Sequence, residues 1–388
     1  MALLHVDVSD DGLRRELRCD ELMRPIWFEF SASLPPPRLE HKDFALLAAL
    51  PLAMNAGVDL EADFTVDADL LDGLDHYQDV WHVWRPDLFR KKIKIAVAEE
   101  RSCAPPASRT DAAVCAYSAG VDSTFTLVRH VTGAAGRGAR RLQSAAMVHG
   151  FDMPLDAADG FRSLYHQGKS ITDQFGVSLF PVKTNWRQAV RNWEMTFAAG
   201  LAATLHQFSG THGTGLIATE ESYANSIAVW GNSFWTDRFF SSSSFRIESD
   251  GGAFDRIERV KLLSKHPSAI PHLRVCWAGP RNGENCGICP KCVLTKLNFV
   301  IAKVPEPWPF PQGLTYDLVR DMPIITPWQA KFLGIILAKL EEDSPVNRGL
   351  VATVRERLAR LGPDASNISR KSRSRISAPK WLRSFTSH

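Results

Sequence analysis

Seven consecutive positions, Ser118-Ala119-Gly120-Val121-Asp122-Ser123-Thr124, combine small side chains, hydroxyls and one carboxylate. The apolar run Ala112 to Tyr117 before them has the composition of a buried strand, and a helical pattern runs from Phe125 to His130. A strand, a turn of small residues and a helix N-terminus together make an anion cradle. Backbone N–H groups at Ala119 and Gly120 close on the charge, and the helix end adds partial positive charge. Ser118, Ser123 and Thr124 offer hydroxyl donors, and Asp122 can carry the magnesium ion that a polyphosphate requires. This is not a Walker loop, because no Gly-Lys-Ser/Thr follows the glycine. The plainer reading of the same residues is a helix cap, for which Asp122 and Ser123 are both suited.

The second concentration of chemistry is Cys276, Cys286, Cys289 and Cys292, in the pattern Cys-x9-Cys-x2-Cys-x2-Cys. Four thiolates at this spacing can surround one Zn2+ tetrahedrally, with Gly287 and Pro290 shaping the turns. No coordination position is left open, so such a zinc is structural. Free or disulfide-bonded cysteines and a redox Cys-x-x-Cys are the alternatives. Disulfides fit poorly in a chain with no secretory features, and a redox pair leaves Cys276 without a task.

The loop resembles the SGGxDS loop of the ATP pyrophosphatase (PP-loop) superfamily, with Ala119 in place of one glycine. Loop and cysteine pattern together, about 150 residues apart, are similar to the 7-cyano-7-deazaguanine synthase family of queuosine biosynthesis. The similarity covers roughly Asp111 to Ala302, and Arg191-Asn192 before an alanine-rich helix is similar to an Arg-Asn of that family. It implies a doubly wound α/β sheet of the HUP (adenine nucleotide alpha hydrolase) type. It also implies ATP, Mg2+ and Zn2+ as cofactors, and adenylation of a carboxylate followed by transfer to ammonia or an amine. Tyr117, Ser118, Ala119, Gly120, Val121, Asp122, Ser123 and Thr124 become the nucleotide-binding residues, with Asp122 and Ser123 in the catalytic roles. The acceptor is a small-molecule carboxylate, a deazapurine among the candidates, or a peptide or protein end. Sulfur transfer to RNA, which related enzymes perform, and nucleotide binding without turnover are the rival readings. Under the first of these, Cys19, Cys103 and Cys115 are the remaining sulfur carriers.

At 388 residues, 45% hydrophobic and 23% charged, the chain has the composition of an ordinary globular protein with two or three units. The net charge of +3 implies no whole-domain attraction to nucleic acid. Its basic residues concentrate after Ser366, where Arg370, Lys371, Arg373, Arg375, Lys380 and Arg383 meet no acidic partner. That tail reads as a solvated segment able to touch RNA, a membrane surface or an acidic partner. No signal peptide is legible and no apolar run approaches the roughly 20 residues of a membrane span, which points to the cytoplasm. A homodimer is compatible with the sequence.

The elements that must position these residues follow from periodicity. Residues 1–108 read as a separate α+β module, with strands at Ile26 to Ser31, Asp63 to Val66 and Lys92 to Ala98 and helices at Asp43 to Asn55 and Asp67 to Gly73. Trp81, Trp84 and Trp186 read as core, with stacking on a planar ligand as the alternative. A catalytic domain follows over 109–303, a helical extension over 304–365 and the basic tail over 366–388. In the catalytic domain strands at 112–117, 142–149, 178–184 and 214–219 alternate with helices at 123–131, 160–175 and 189–208, the rhythm of a parallel doubly wound sheet. Ligands bind such sheets beyond the carboxyl ends of the strands. His149 and Asp152 are thereby candidates for the adenosine side, Lys183 for a phosphate or the substrate carboxylate and Glu221 for the second substrate or magnesium, each equally readable as a loop residue with a structural hydrogen bond; the resemblance adds Arg191 on the substrate side. Residues 239–252, rich in serine and glycine, read as a mobile active-site loop or equally as a plain surface loop, and helices are expected at 328–342 and 347–361.

Overall fold

The computed structural model describes residues 3–19, 24–102, 110–225, 229–276, 279, 281–324, 326–342 and 344–361. The chain falls into two compact units. One is built from Met1–Arg274, Pro280–Glu284 and Pro305–Pro309, the other from Val275–Gly279, Asn285–Val304 and Phe310–His388.

The first unit opens with β1 (Leu3–Asp10), β2 (Arg14–Cys19) and β3 (Ile26–Phe30), then α1 (Asp43–Ala56), β4 (Asp59–Asp67), α2 (Ala68–Trp84) and β5 (Ile95–Arg101). It continues with β6 (Ala112–Ala116), α3 (Val121–Val131), β7 (Arg141–His149), α4 (Ala158–Gln174), β8 (Ser178–Thr184), α5 (Trp186–Ala189), α6 (Trp193–His206), β9 (Thr214–Ala218), β10 (Arg246–Asp250) and α7 (Arg256–Leu263). Among the described residues these strands form one ten-stranded sheet in the order β10-β9-β6-β7-β8-β3-β2-β1-β4-β5. The five strands from β10 to β8 are parallel, and β3 joins them antiparallel through Phe28↔Thr184, Glu29↔Lys183 and Phe30↔Val182.

That junction corrects the reading of residues 1–108 as a separate module. Their strands extend the same sheet, and their apolar side chains, from Leu4 to Ile93, share one core with Val114, Ala146, Val182 and Ile217. Buried on all sides over Asp43 to Met54, α1 packs on α6. The indole of Trp186 donates to the Ala48 carbonyl at 2.8 Å and lies against Gly200, where a Cβ would meet its ring at 2.5 Å. Trp81 and Trp186 are fully buried core residues.

The second differing segment is 239–252. A 3-10 turn (Asp237–Phe240) and edge strand β10, in register with β9 from Arg246↔Thr214 to Asp250↔Ala218, stand where a loop was expected. Polar side chains on this short strand hide its periodicity. The expected helix at 189–208 is broken into α5 and α6 at Asn192, whose φ is 55°.

The second unit holds α8 (Pro290–Ile301), α9 (Tyr316–Asp321), α10 (Pro327–Glu342) and α11 (Ser344–Ala359), and the cysteine segment belongs to this helical unit. Val293 and Leu297 of α8, Val319 and Met322, Leu333, Ile336 and Leu340 of α10, and Val351 and Val354 of α11 form its core. The basic tail lies outside the described residues. No helix of the described residues is long and apolar enough to cross a membrane.

Gly150, just past β7, has φ 112°, and a Cβ there would stand 1.8 Å from the Thr184 carbonyl oxygen. Gly150→Ala is therefore expected to cost about 3 kcal/mol in chemical denaturation. A change under about 0.5 kcal/mol contradicts this packing of the β7 and β8 ends.

Candidate functional site

The parallel part of the sheet, β8-β7-β6-β9-β10, has the order 3-2-1-4-5 in chain terms, so the winding reverses between β6 and β9. In doubly wound sheets the ligand crevice lies at that reversal. The segment Tyr117 to Gly120 is the connection that leaves β6 there. Ala112 to Cys115 are fully buried because helices cover both faces of a central strand, which explains their small size.

The turn itself is built from main chain and two serines. Ala119 takes φ 57°, a conformation in which glycine is at ease and alanine costs about 1 kcal/mol. The backbone thus has the glycine geometry of the sequence pattern without the glycine. Gly120 is the N-cap of α3 and contributes no side-chain cap. Ser123 Oγ accepts from the Ser118 N–H at 3.2 Å, and Ser118 Oγ accepts from the Gly120 N–H at 3.3 Å. The two hydroxyls are 3.2 Å apart. Thr124, read as a phosphate donor, instead turns inward, fully buried, with its hydroxyl 3.3 Å from the Tyr117 phenol. Tyr117 is buried too, which pushes its phenol well above the ordinary value.

Asp122 was read as a metal carrier, and both its oxygens accept from arginines of α7. Arg256 reaches Oδ2 at 2.6 Å and Arg259 reaches Oδ1 at 2.7 Å. The buried Arg259 also donates to the Thr219 carbonyl at 2.5 Å and to the Gly251 carbonyl at 3.1 Å, the residues just beyond β9 and β10. Arg256 is a quarter exposed. Burial works against its charge, but the carboxylates of Asp122, Glu220 and Glu221 outweigh it and hold its pKa above the ordinary value.

The other end of α3 is tied to β10. Asp250 accepts from the Thr126 hydroxyl at 2.9 Å and from Arg129, and lies 3.2 Å from His130 Nε2. Burial alone would raise the Asp250 pKa; His130, Arg129 and Thr126 overcome it and hold the carboxyl below its usual range. Sequence reasoning missed Arg256, Arg259 and Asp250. The available signal was the capping box of Asp255 and Glu258, which starts a helix with arginines three apart.

The remaining candidates divide. Glu221 is half-buried and shares the Arg256 field. His149 is buried, stacked on Phe161 at 4.4 Å and bonded to the Pro154 carbonyl at 2.9 Å, so its ring serves the turn after β7. Burial lowers its pKa, the Pro154 carbonyl opposing and Lys183 assisting. Asp152 is exposed in that same turn. Lys183 lies over the Trp27 ring at 5.8 Å, on the β3 side, and is not brought to the loop. Arg191 is exposed in the break before α6. An open groove of about 640 Å³ lined by Asp69, His76, Arg238, Arg246 and Glu248 shares no residue with the loop.

Beyond β9, Asn232 links the Glu220 N–H, accepted at 3.1 Å, to the buried Asp237 carboxylate, to which it donates at 2.6 Å. Asp237 also accepts from the Ser233 N–H at 3.0 Å and the Ser249 hydroxyl at 2.8 Å. Burial raises its pKa to about 7 against the pull of these donors.

In the second unit the four Sγ atoms of Cys276, Cys286, Cys289 and Cys292 all lie within 4.8 Å of one another and can hold a metal ion such as zinc. Cys276 is 3.4 Å from Cys286 and 3.7 Å from Cys289, and Cys292 is 3.9 Å from Cys286 and 3.5 Å from Cys289. A tetrahedral ZnS4 centre with bonds of about 2.3 Å has edges of about 3.8 Å. Asn285 Oδ1 accepts from the Val275 and Cys276 N–H groups at 2.8 and 3.0 Å, and the Cys289 N–H points to Cys286 Sγ at 3.3 Å. Cys289 is the N-cap of α8, so helix start and ligand turn are one structure. The buried Lys296 ammonium donates to the Gly287 carbonyl at 2.8 Å and to the Gly313 carbonyl at 3.2 Å, and burial lowers its pKa against the opposing thiols.

One titration tests the network behind β9. From the ordinary 3.8 to about 7, folded Asp237 keeps a proton that the unfolded chain releases, so its contribution to stability is full below that window and is lost as pH rises through it. Asp237→Asn should remove this slope, at most about 1.4 kcal/mol per pH unit, from denaturation curves taken between pH 4 and 7. Parallel curves for the two proteins contradict the assignment. Comparison of the chain with protein-family models, with curated proteins and with solved structures finds no match.

Proposed function

We propose that this chain is an AMP-forming, ATP-dependent ligase of the PP-loop type, similar to the 7-cyano-7-deazaguanine synthases, with its sheet a version of the HUP fold. The observation that carries the reading is the turn Tyr117 to Gly120, with a helix N-terminus that its N-cap side chain leaves uncapped, at the winding reversal beside β9.

The chemistry follows from that placement. Phosphate oxygens take the first-turn N–H groups of α3 and the Ser118 and Ser123 hydroxyls, at a helix end that favours negative charge. A substrate carboxylate oxygen attacks the α-phosphorus in line, and the bond to the bridging oxygen breaks as pyrophosphate leaves. Ammonia or an amine then attacks the acyl carbon, loses a proton, and expels AMP. The protein supplies alignment and charge, and no side chain needs to bond to the substrate. Arg256, partly exposed beside the loop, is the cation placed to steady the leaving pyrophosphate. Each Asp122 oxygen has acceptor capacity beyond its arginine, so Asp122 and Glu221 would hold Mg2+, which supplies charge neutralisation on the phosphates. Cys276, Cys286, Cys289 and Cys292 would hold a structural Zn2+.

Sulfur transfer is less well supported. Cys19 and Cys115 are buried, and burial pushes the Cys115 thiol up to about 12, a poor state for a sulfur carrier. Cys103 and the basic tail, the other features that favoured that reading, lie outside the described residues.

Two outcomes are expected. Incubation with ATP, ammonium and a panel of carboxylates should yield AMP, pyrophosphate and an amide by mass spectrometry, with Asp122→Ala reducing turnover at least 100-fold. ADP as the nucleotide product would overturn the reading. Metal analysis should find one zinc per chain, lost in Cys292→Ser together with several kcal/mol of stability; full zinc occupancy in that variant contradicts a four-thiolate centre.

A further inference from the structure

Arg274, two residues before the end of the described run that closes at Cys276, is anchored to the loop by its own backbone. Its N–H donates to the Ala119 carbonyl at 2.8 Å, and its carbonyl oxygen lies 3.6 Å from where a Gly120 Cβ would be. Only 8% of this residue is exposed, and its Nε is buried with no hydrogen-bond partner among the described residues. Arg129 and Arg259 also leave Nε without a partner, but their terminal nitrogens reach Asp250 and Asp122, as Arg256 reaches Asp122; Arg274 makes no ion pair with a described carboxylate.

A guanidinium withdrawn from water without a carboxylate is costly, and such a cost is sustained where an anion arrives to offset it. The Arg274 main chain is bonded to the turn that opens α3, where backbone N–H groups and the helix dipole already favour negative charge. We infer that Arg274 is a second guanidinium, besides Arg256, that binds the phosphoryl anion delivered to this loop, the pyrophosphate portion of a nucleotide. The inference rests on the nucleotide reading above and adds to it a binding residue outside the Ser118 to Thr124 pattern. Planar guanidinium geometry suits two phosphate oxygens at once, which a lysine ammonium cannot reproduce.

The test is calorimetric titration of full-length protein with magnesium pyrophosphate, ATP and adenosine. Arg274→Met should weaken pyrophosphate and ATP binding 10- to 100-fold, the loss of charge-assisted hydrogen bonds, and leave adenosine binding unchanged. Arg274→Lys should recover part of it. Without ligand, Arg274→Met should be at least as stable as the wild type, because an unpaired buried charge has been removed; a structural arginine would lose stability instead. Should Arg274→Met fail to fold, that loss itself assigns Arg274 a structural role and overturns the inference. Pyrophosphate binding within twofold of wild type also overturns it while the nucleotide reading stands. If the wild type binds neither ATP nor pyrophosphate, the nucleotide reading falls and the inference with it. Equal weakening of adenosine and pyrophosphate shows general damage to the site and counts against a phosphate-specific role.

Discussion

The carboxylate of Asp122 is shared by two guanidinium groups, and this sharing fixes where the first turn of α3 stands against the ends of β9 and β10. Arg259 is the pivot: buried, it joins Asp122 to the Thr219 and Gly251 carbonyls, so helix, strand and edge strand end at one cation. Removing Asp122 leaves the buried Arg259 guanidinium without a carboxylate, a loss of about 3–5 kcal/mol, whereas removing Arg259 leaves Asp122 with Arg256. The same residue type that can neutralise a polyphosphate is thus committed, in Arg259, to holding the cradle. Arg256, on the same helix, is less buried, and in the proposed reading it is the member of the pair open to a ligand.

A similar logic orders the rest of the first unit. Asp250 fastens the far end of α3, so the helix that carries the cradle is held by an ionic contact at each end. Asn232 and Asp237 then fix the chain leaving β9, where Glu220 and Glu221 lie. Function at such an edge depends on loops, and here the loops are held by hydrogen bonds and ion pairs among buried polar groups. In the second unit the cysteine turn is rigid for an analogous reason: Asn285 bonds two successive N–H groups and Lys296 two carbonyls.

Much of the loop, the parallel strands and the cysteine set was legible, since each rests on local composition. Ala112 to Ala116 is apolar without alternation because both faces are covered, and Cys286 to Cys292 reads as a ligand turn from spacing alone. What was not legible depends on long-range contact. Nothing local in β3 says that Phe28 faces Thr184, so the N-terminal strands looked like a separate module. The serine-rich run before β10 has loop composition and becomes ordered through Asp67, which accepts from the Ser243 N–H at 2.9 Å. Thr124 matched the pattern of a phosphate donor, yet its position on α3 turns it to Tyr117. Lys183 follows the rule for strand ends but its side chain lies over Trp27, a residue of a strand that the sequence had placed elsewhere.

The account stands on the turn from Tyr117 to Ser123 being a phosphate cradle. A crystal structure with the non-cleavable analogue α,β-methylene-ATP and Mg2+ tests this most directly. The account predicts phosphate oxygens within hydrogen-bond distance of the N–H groups that open α3 and of the Ser118 and Ser123 hydroxyls. An analogue bound elsewhere, with that helix end in contact only with solvent, would contradict it.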